Sequence, residues 1–263
     1  MVKGRFTTIL SIASFRILDQ VHNFLYAIIS GFWLGVMSEE SLDLADERYY
    51  CQIKKYSNDR YNSFGLFRWE EVVIKSHFSN AKNFLLIAAG GGREALALAK
   101  MGFVVDSYEC NSKLIESGNI LLQKNGIDKK ISYLPRNAVP SEIKIYDGII
   151  IGWAAYTHIR GHNQRLAFIQ KLHQFLKNSE SALMVSFEVR RSPSEQEKVI
   201  KFVSNIFRCL SHRDKVELGD RLIPVFAHYF SEDEIKKEFV KAGYIVNEYS
   251  EVDYGCIIAT EQR

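Results

Sequence analysis

A buried strand that turns at once into a helix through three consecutive glycines constrains this chain more than any other feature. NFLLIAA, beginning at Asn83, is an apolar run of strand length. Gly90-Gly91-Gly92 follows it, and REALALAK continues as an Ala/Leu-rich helix that ends at Gly102. The same alternation repeats downstream. Strands are expected at Phe103–Tyr108, Ile131–Leu134, Tyr146–Ile151 and Ala182–Phe187. Between them come a helix after Asn111, burying Leu114, Ile115, Leu121 and Leu122, and a helix around Leu166–Leu176. Such alternation implies parallel strands joined by right-handed helical crossovers. Two last strand-like segments, Tyr244–Tyr249 and Tyr254–Ala259, flank a polar turn with Ser250, Glu251 and Asp253. They form a hairpin, so the final strand runs antiparallel to its neighbour. The expected fold is α/β, with a seven-stranded, mostly parallel sheet, an antiparallel last strand and helices on both faces.

The residues before the sheet have a different pattern. Apolar positions recur at helical spacing from about Thr8 to Ser30 (Ile9, Ile12, Leu18, Val21, Leu25, Ile28), predicting an amphipathic helix or a broken pair. Lys3 and Arg5 ahead of the apolar run Thr7–Phe15 resemble the start of a signal peptide, but Arg16, Asp19 and His22 interrupt it. No run reaches the ~20 residues needed to span a bilayer, so a packed helix is expected. A second helix starts at Ser38, with Glu39 and Glu40 in its first turn. Residues 56–71 read as a loop leading into a helix through His77. Residues 1–80 are accordingly assigned to an N-terminal helical extension or lid, and 81–263 to the α/β domain. Capping boxes at Ser192-Pro193-Ser194-Glu195 and Ser231-Glu232-Asp233-Glu234 predict two more helices, the first with proline at its first position and the second stopping at Gly243.

Charge and cysteine usage narrow the function classes. The net charge of +3 comes from interleaved Lys/Arg and Asp/Glu with no basic stripe, which argues against a nucleic-acid partner. Cys51, Cys110, Cys209 and Cys256 are far apart, with no zinc or redox spacing, and read as reduced thiols of a cytoplasmic protein.

The triple glycine sits where a backbone can pass close to a ligand while free N–H groups at the helix start face it. At the end of the next strand stands Glu109, placed to accept both hydroxyls of an adenosine ribose. A glycine turn alone also suits a bend that binds nothing. Strand, glycines, helix, strand and terminal acid together point to a nucleoside site.

Over roughly Asn83 to Ala259 the sequence resembles the class I S-adenosylmethionine-dependent methyltransferases, whose fold is Rossmann-like. Ala88-x-Gly90-x-Gly92 stands for that family's GxGxG turn, with Leu86 in place of its usual acid and Ala88 in place of its first glycine. The resemblance implies S-adenosylmethionine as cofactor and S-adenosylhomocysteine as product. It places Glu109, with Cys110 beside it, at the ribose, Asn137-Ala138 at the adenine amino group, and Gly152-Trp153 next to the transferring methyl. A nicotinamide-dependent oxidoreductase is the competing reading, because Gly90-x-Gly92-x-x-Ala95 also fits a dinucleotide fingerprint. A non-catalytic relative that keeps the fold as a binding module is another, motivated by Leu86 and Ala88.

Methyl transfer from a sulfonium mainly requires alignment and exclusion of water. The segment from Gly152 to Gly161 lies beyond the strand ends, over the chemistry. There His158 is the candidate general base, since imidazole titrates near neutral pH, and a helix cap is its structural alternative. Trp153 and Tyr156 offer ring faces to adenine or a sulfonium, or pack in the core. His228, ahead of the Ser231 cap, resembles an acceptor-side turn or staples that helix. Tyr61, Asn62, Phe64 and Trp69 are candidates for a lid that orders on binding. No metal ligand set is visible and no Asn-Pro-Pro-Tyr-like tetrapeptide follows the fourth strand. The expected reaction is metal-free O-, N- or C-methylation of a small molecule, while the apolar N-terminal helix could serve as a homodimer surface, a membrane-surface contact or a lid.

Overall fold

The computed structural model describes residues 2–192 and 194–262, with residues 2–6 described through their helical backbone alone. The side chains of Lys3 and Arg5, and the proline expected to open a helix at Pro193, lie outside the described residues.

Helix α1 runs unbroken over Val2–Val36. No proline interrupts that stretch, so the alternative of a broken pair is not realised. Its C-terminal part packs on α8 (Glu195–Leu210) through Gly31 and Gly35. A Cβ at Gly31 would lie 2.9 Å from the Ile200 carbonyl oxygen and from Val203 Cβ, and one at Gly35 2.9 Å from Phe207 Cβ and the Ser204 oxygen. The two backbones therefore approach as closely as only glycine allows. Helix α2 (Glu39–Gln52) begins as expected, with the Ser38 hydroxyl accepting from the Ser41 amide. The stretch 56–71 contains a short helix α3 (Asp59–Asn62) before α4 (Arg68–His77).

The sheet strands are β1 (Asn83–Ile87), β2 (Val104–Glu109), β3 (Ile131–Tyr133), β4 (Gly148–Ile151), β5 (Ala182–Phe187), β8 (Tyr244–Ser250) and β9 (Gly255–Glu261). A separate hairpin is made of β6 (Asp220–Leu222) and β7 (Phe226–His228). Intervening helices are α5 (Arg93–Lys100), α6 (Ser112–Lys124), α7 (His162–Leu172) and α9 (Glu232–Lys241). Strand order is β3-β2-β1-β4-β5-β9-β8, parallel from β3 through β5, with β9 antiparallel to both its neighbours.

Alternate residues of the central strands feed two cores. Leu85, Ile149 and Val185 pack with Phe168, Phe175 and Phe239 on one face, while Leu86, Ile150 and Met184 pack with Ile74, Leu98 and Leu121 on the other. Leu86, which stands where an acid was expected, is thereby a core residue with no exposure.

Three expectations need correction. Helix α8 is capped two residues later than its sequence signature suggested: the Ser194 hydroxyl accepts from the Glu197 amide, and the Ser194 amide donates to the Glu197 carboxylate. That pairing satisfies two orphan donors at once, which Ser192 and Glu195 do not. The fourth core strand starts at Gly148 because Tyr146 instead bridges to Leu176. The segment around His228, read as a turn, is a strand of the β6–β7 hairpin. Its three-residue strands are too short for periodicity to reveal.

Candidate functional site

A cavity of about 560 Å³ opens at the carboxyl ends of β1, β2 and β4. In an open parallel sheet this is where ligands bind. One wall comes from the strand ends: Ala88–Gly91, Glu109–Asn111, Arg136-Asn137 and Trp153–Ala155. The other comes from the N-terminal residues Asp46, Tyr49, Tyr50, Tyr56 and Tyr61, with Glu188 and Tyr229 closing the far side.

The three glycines do different work. Gly90 has a φ of +55°, faces the cavity, and leaves open space where a Cβ would stand. Gly91 is fixed by packing: a Cβ there would lie 2.0 Å from the Tyr56 carbonyl oxygen and 2.4 Å from Asn62 Nδ2. Gly92, outside the cavity lining, N-caps α5 and packs on Gly118 of α6. Thus the middle glycine, which the sequence motif treats as variable, is where the N-terminal segment rests on the loop.

Glu109 is buried at the cavity floor. Its Oε2 accepts from the Gly90 amide at 2.8 Å, and its Oε1 from the amides of Cys110 and Asn111 at 2.8 and 2.9 Å. The glycine loop and the carboxylate of the neighbouring strand meet at one point. A carboxylate offers about four lone-pair sites; three accept from these amides, and the fourth is one for which a ligand hydroxyl would compete with the Cys110 thiol.

Several buried polar atoms of lining residues lack a protein hydrogen bond: both Asp46 carboxylate oxygens, the Tyr61 hydroxyl, Asn137 Oδ1 and Trp153 Nε1. Buried polar groups are normally satisfied; unpartnered atoms also occur elsewhere, on Arg160, Arg165, Arg190 and Arg221, but those of the lining residues are placed to take a partner from a ligand. Asp46 is 1 % exposed, and its one ionic contact is with Arg136 Nη2 at 3.1 Å. Burial, against the pull of Arg136, pushes its pKa up to about 6.

The two walls are tied together by a buried ion pair. Arg93 at the start of α5 donates to both Glu70 oxygens at 2.6 and 2.7 Å, to Glu94 at 2.7 Å and to the Gly65 carbonyl, with its guanidinium over the Phe67 ring. Glu94 in turn accepts from the Trp153 amide.

His158, in a 3-10 turn at Ala155–His158, lines the cavity. The Phe226 carbonyl can only accept, so Nδ1 donates to it at 2.7 Å, and Nε2 therefore accepts from the Tyr50 hydroxyl at 2.8 Å. Desolvation, reinforced by Arg136, lowers its pKa to about 4 and keeps the ring neutral. Of the other residues singled out in the sequence, Ala88, Gly90, Glu109, Cys110, Asn137, Trp153 and Tyr61 also line the cavity. So do Gly91 and Asn62, whereas Gly92, Gly152, Ala138, Tyr156, His228, Phe64 and Trp69 stand outside that lining. Tyr156 is fully buried and donates to Glu238. Gly152 packs its α-carbon against the Ala88 carbonyl, and Ala138 joins the core below. Trp69 packs on the opposite core, and Phe64 is exposed.

His228 lies behind the wall, bonded through Nδ1 to Asp220 at 2.7 Å and through Nε2 to Glu234 at 2.9 Å. Burial disfavours its charged form, but the two carboxylates win and raise its pKa to about 9. Together with Arg165, which reaches Glu217 at 2.8 Å, it compensates a group of buried acids. Glu217, Asp220 and His228 are close enough to hold a cation, yet these internal pairs already use them.

Sequence reasoning missed Asp46, Tyr50 and Glu188. Each belongs to a segment whose local pattern is complete without function, and only the fold brings them to the cavity.

No family model and no curated protein matches the chain. Solved structures do. It superposes on an S-adenosylmethionine-dependent methyltransferase from Methanosarcina mazei with a TM-score of 0.58 and 17 % identity, covering 76 % of this chain and 99 % of that one. The PH0226 protein from Pyrococcus horikoshii gives 0.60 and 15 %, covering 82 % and 99 %. The 1,6-didemethyltoxoflavin-N1-methyltransferase from Burkholderia thailandensis, solved with its acceptor and S-adenosylhomocysteine, gives 0.59 and 12 %, covering 87 % and 92 %.

Proposed function

The chain has the class I S-adenosylmethionine-dependent methyltransferase fold, and from that premise we propose that it binds S-adenosylmethionine in the cavity and methylates a small-molecule acceptor. The hydrogen bond between the Gly90 amide and Glu109 carries this reading, because it brings a glycine loop and a carboxylate to one face of a cavity of cofactor size. The inserted antiparallel β9 also departs from the all-parallel order of dinucleotide-binding sheets.

The bound cofactor supplies a methyl group on a sulfonium. Glu109 offers its remaining lone pair to a ribose hydroxyl, and Asn137 Oδ1 accepts from an adenine amino group. Residues 1–80 act as the extension that closes the cavity and excludes water, and 81–263 as the catalytic domain. The Tyr50–His158 pair orients the acceptor. A ring with a pKa of about 4 is too weak a base to hold the acceptor's proton, so the pair positions the acceptor through the Tyr50 oxygen, and the proton released on methylation passes to solvent. No metal is needed, since the leaving thioether is neutral. No helix among the described residues is long and apolar enough to cross a membrane, and the four cysteines are free, which supports a cytoplasmic setting.

Titration calorimetry tests the reading. S-adenosylhomocysteine is expected to bind and to raise the melting temperature. Asn137→Leu is expected to weaken that binding and Glu109→Ala to abolish it, with circular dichroism confirming the fold. Binding of reduced nicotinamide cofactor without binding of S-adenosylhomocysteine would refute it.

A further inference from the structure

Three aromatic rings of the cavity wall surround an ammonium. Lys55 Nζ lies 4.7 Å from the Tyr61 ring centroid, 5.7 Å from that of Trp153 and 5.8 Å from that of Tyr56. All three rings line the cavity, whereas the Lys55 residue is exposed. A cation within about 6 Å of a ring centroid is held by the ring's negative face, and several rings together form a cage selective for ammonium groups. Tyr254 braces the cage, its ring 4.9 Å from that of Trp153 and nearly perpendicular to it.

A free carboxylate completes the setting. Glu188, which directly follows β5, lines the same cavity; burial raises its pKa, Arg221 is the cation that acts on it from a distance, and no hydrogen bond or ion pair of its side chain is formed among the described residues. Burial is the main cause that raises the pKa values of the Tyr56, Tyr229 and Tyr254 hydroxyls, and the Glu188 charge adds to it at all three, as it does from a position beside the cage. By contrast, the cationic side chains of the cavity wall are already engaged: Arg93 by Glu70 and Glu94, Arg136 by Asp46.

Resting on the methyltransferase reading, we infer that the methyl acceptor carries an alkylammonium group, which takes the place of the Lys55 ammonium among Tyr56, Tyr61 and Trp153 and is neutralised by Glu188. Lys55 is then an internal competitor: it keeps the rings apart and occupied, and withdraws into solvent when the acceptor enters. A neutral acceptor of the same shape gains neither the ring faces nor the carboxylate.

Two probe pairs that differ only in charge test this on the full chain by calorimetry and ligand-observed NMR: choline against 3,3-dimethylbutan-1-ol, and n-butylamine against n-butanol. Each is measured with and without S-adenosylhomocysteine. The charged member of at least one pair is expected to bind about 10-fold tighter or better. Tyr56→Leu is expected to weaken it by about 2- to 30-fold, the range of one cation–π contact. Glu188→Gln should reduce the charge preference about 10-fold, and Lys55→Ala should tighten binding several-fold, which loss of a merely structural lysine would not do. Equal affinities within both pairs would overturn the inference, as would displacement of choline by S-adenosylmethionine but not by S-adenosylhomocysteine, which would give the cage to the sulfonium. Ammonium binding without any S-adenosylhomocysteine binding would overturn the methyl-acceptor reading and uphold the ammonium site alone.

Discussion

The Tyr50 hydroxyl donates to His158 Nε2 across 2.8 Å, joining helix α2 to the turn that follows β4. Because the opposite nitrogen is committed to the Phe226 carbonyl, this single bond fixes both the tautomer and the angle of the ring.

That geometry predicts how His158 titrates. Its folded pKa of about 4 lies below the ordinary 6.5, so the ring should show a protonated Nδ1 and no titration between pH 7 and 5 in nitrogen-15 NMR. The unfolded chain takes up the proton first, so this group's stabilisation is present above pH 6.5 and is lost as pH falls toward 4. Tyr50→Phe leaves a buried acceptor unpaired and should cost about 1–3 kcal/mol in urea unfolding.

Substitutions in the glycine loop should separate packing from binding. Gly91→Ala places a methyl 2.0 Å from the Tyr56 oxygen, so the N-terminal wall must shift, and both stability and S-adenosylhomocysteine affinity should fall. Gly90→Ala meets no atom within 4 Å but imposes a side chain at a φ of +55°. It should cost only about 1–2 kcal/mol of stability while obstructing the ligand. Thermal melts with and without S-adenosylhomocysteine distinguish the two variants.

His228 imposes a pH dependence of opposite sign. Its pKa rises from 6.5 to about 9 on folding, so the stabilisation is complete below pH 6.5 and disappears as pH climbs to 9. The shift corresponds to about 3 kcal/mol. Chemical unfolding at pH 6.5 and 9 should show this loss in the native chain, and His228→Gln should be less stable at pH 6.5 with the difference between the two pH values reduced.

Regular, deeply buried elements were the ones the sequence could specify. Ala182–Phe187 forms β5 over its predicted span because six consecutive buried residues leave no ambiguity. The glycine turn, Glu109 and the antiparallel last strand were legible for a related reason: each is a local pattern with a fixed place in an alternating chain. The opposite wall was not. Asp46 and Tyr50 look like ordinary positions of a capped helix, and nothing local says that α2 crosses the strand ends. The periodicity of α1 was real, yet Ile9, Phe15 and Leu18 are all more than half exposed, so an apolar pattern there did not mean burial within this chain. His228 reads as a site residue until the fold encloses it with Asp220 and Glu234.

The segment that carries Asp46, Tyr50, Tyr56 and Tyr61 is a strap knotted at both ends. At one end Gly31 and Gly35 seat α1 against α8, and at the other Arg93 grips Glu70. Between those knots the strap is held to the strand ends by Tyr50–His158 and Asp46–Arg136, so a guest that enters from this side must part those contacts. Loosening either knot should therefore speed entry and exit together while leaving the contacts made by the seated guest intact.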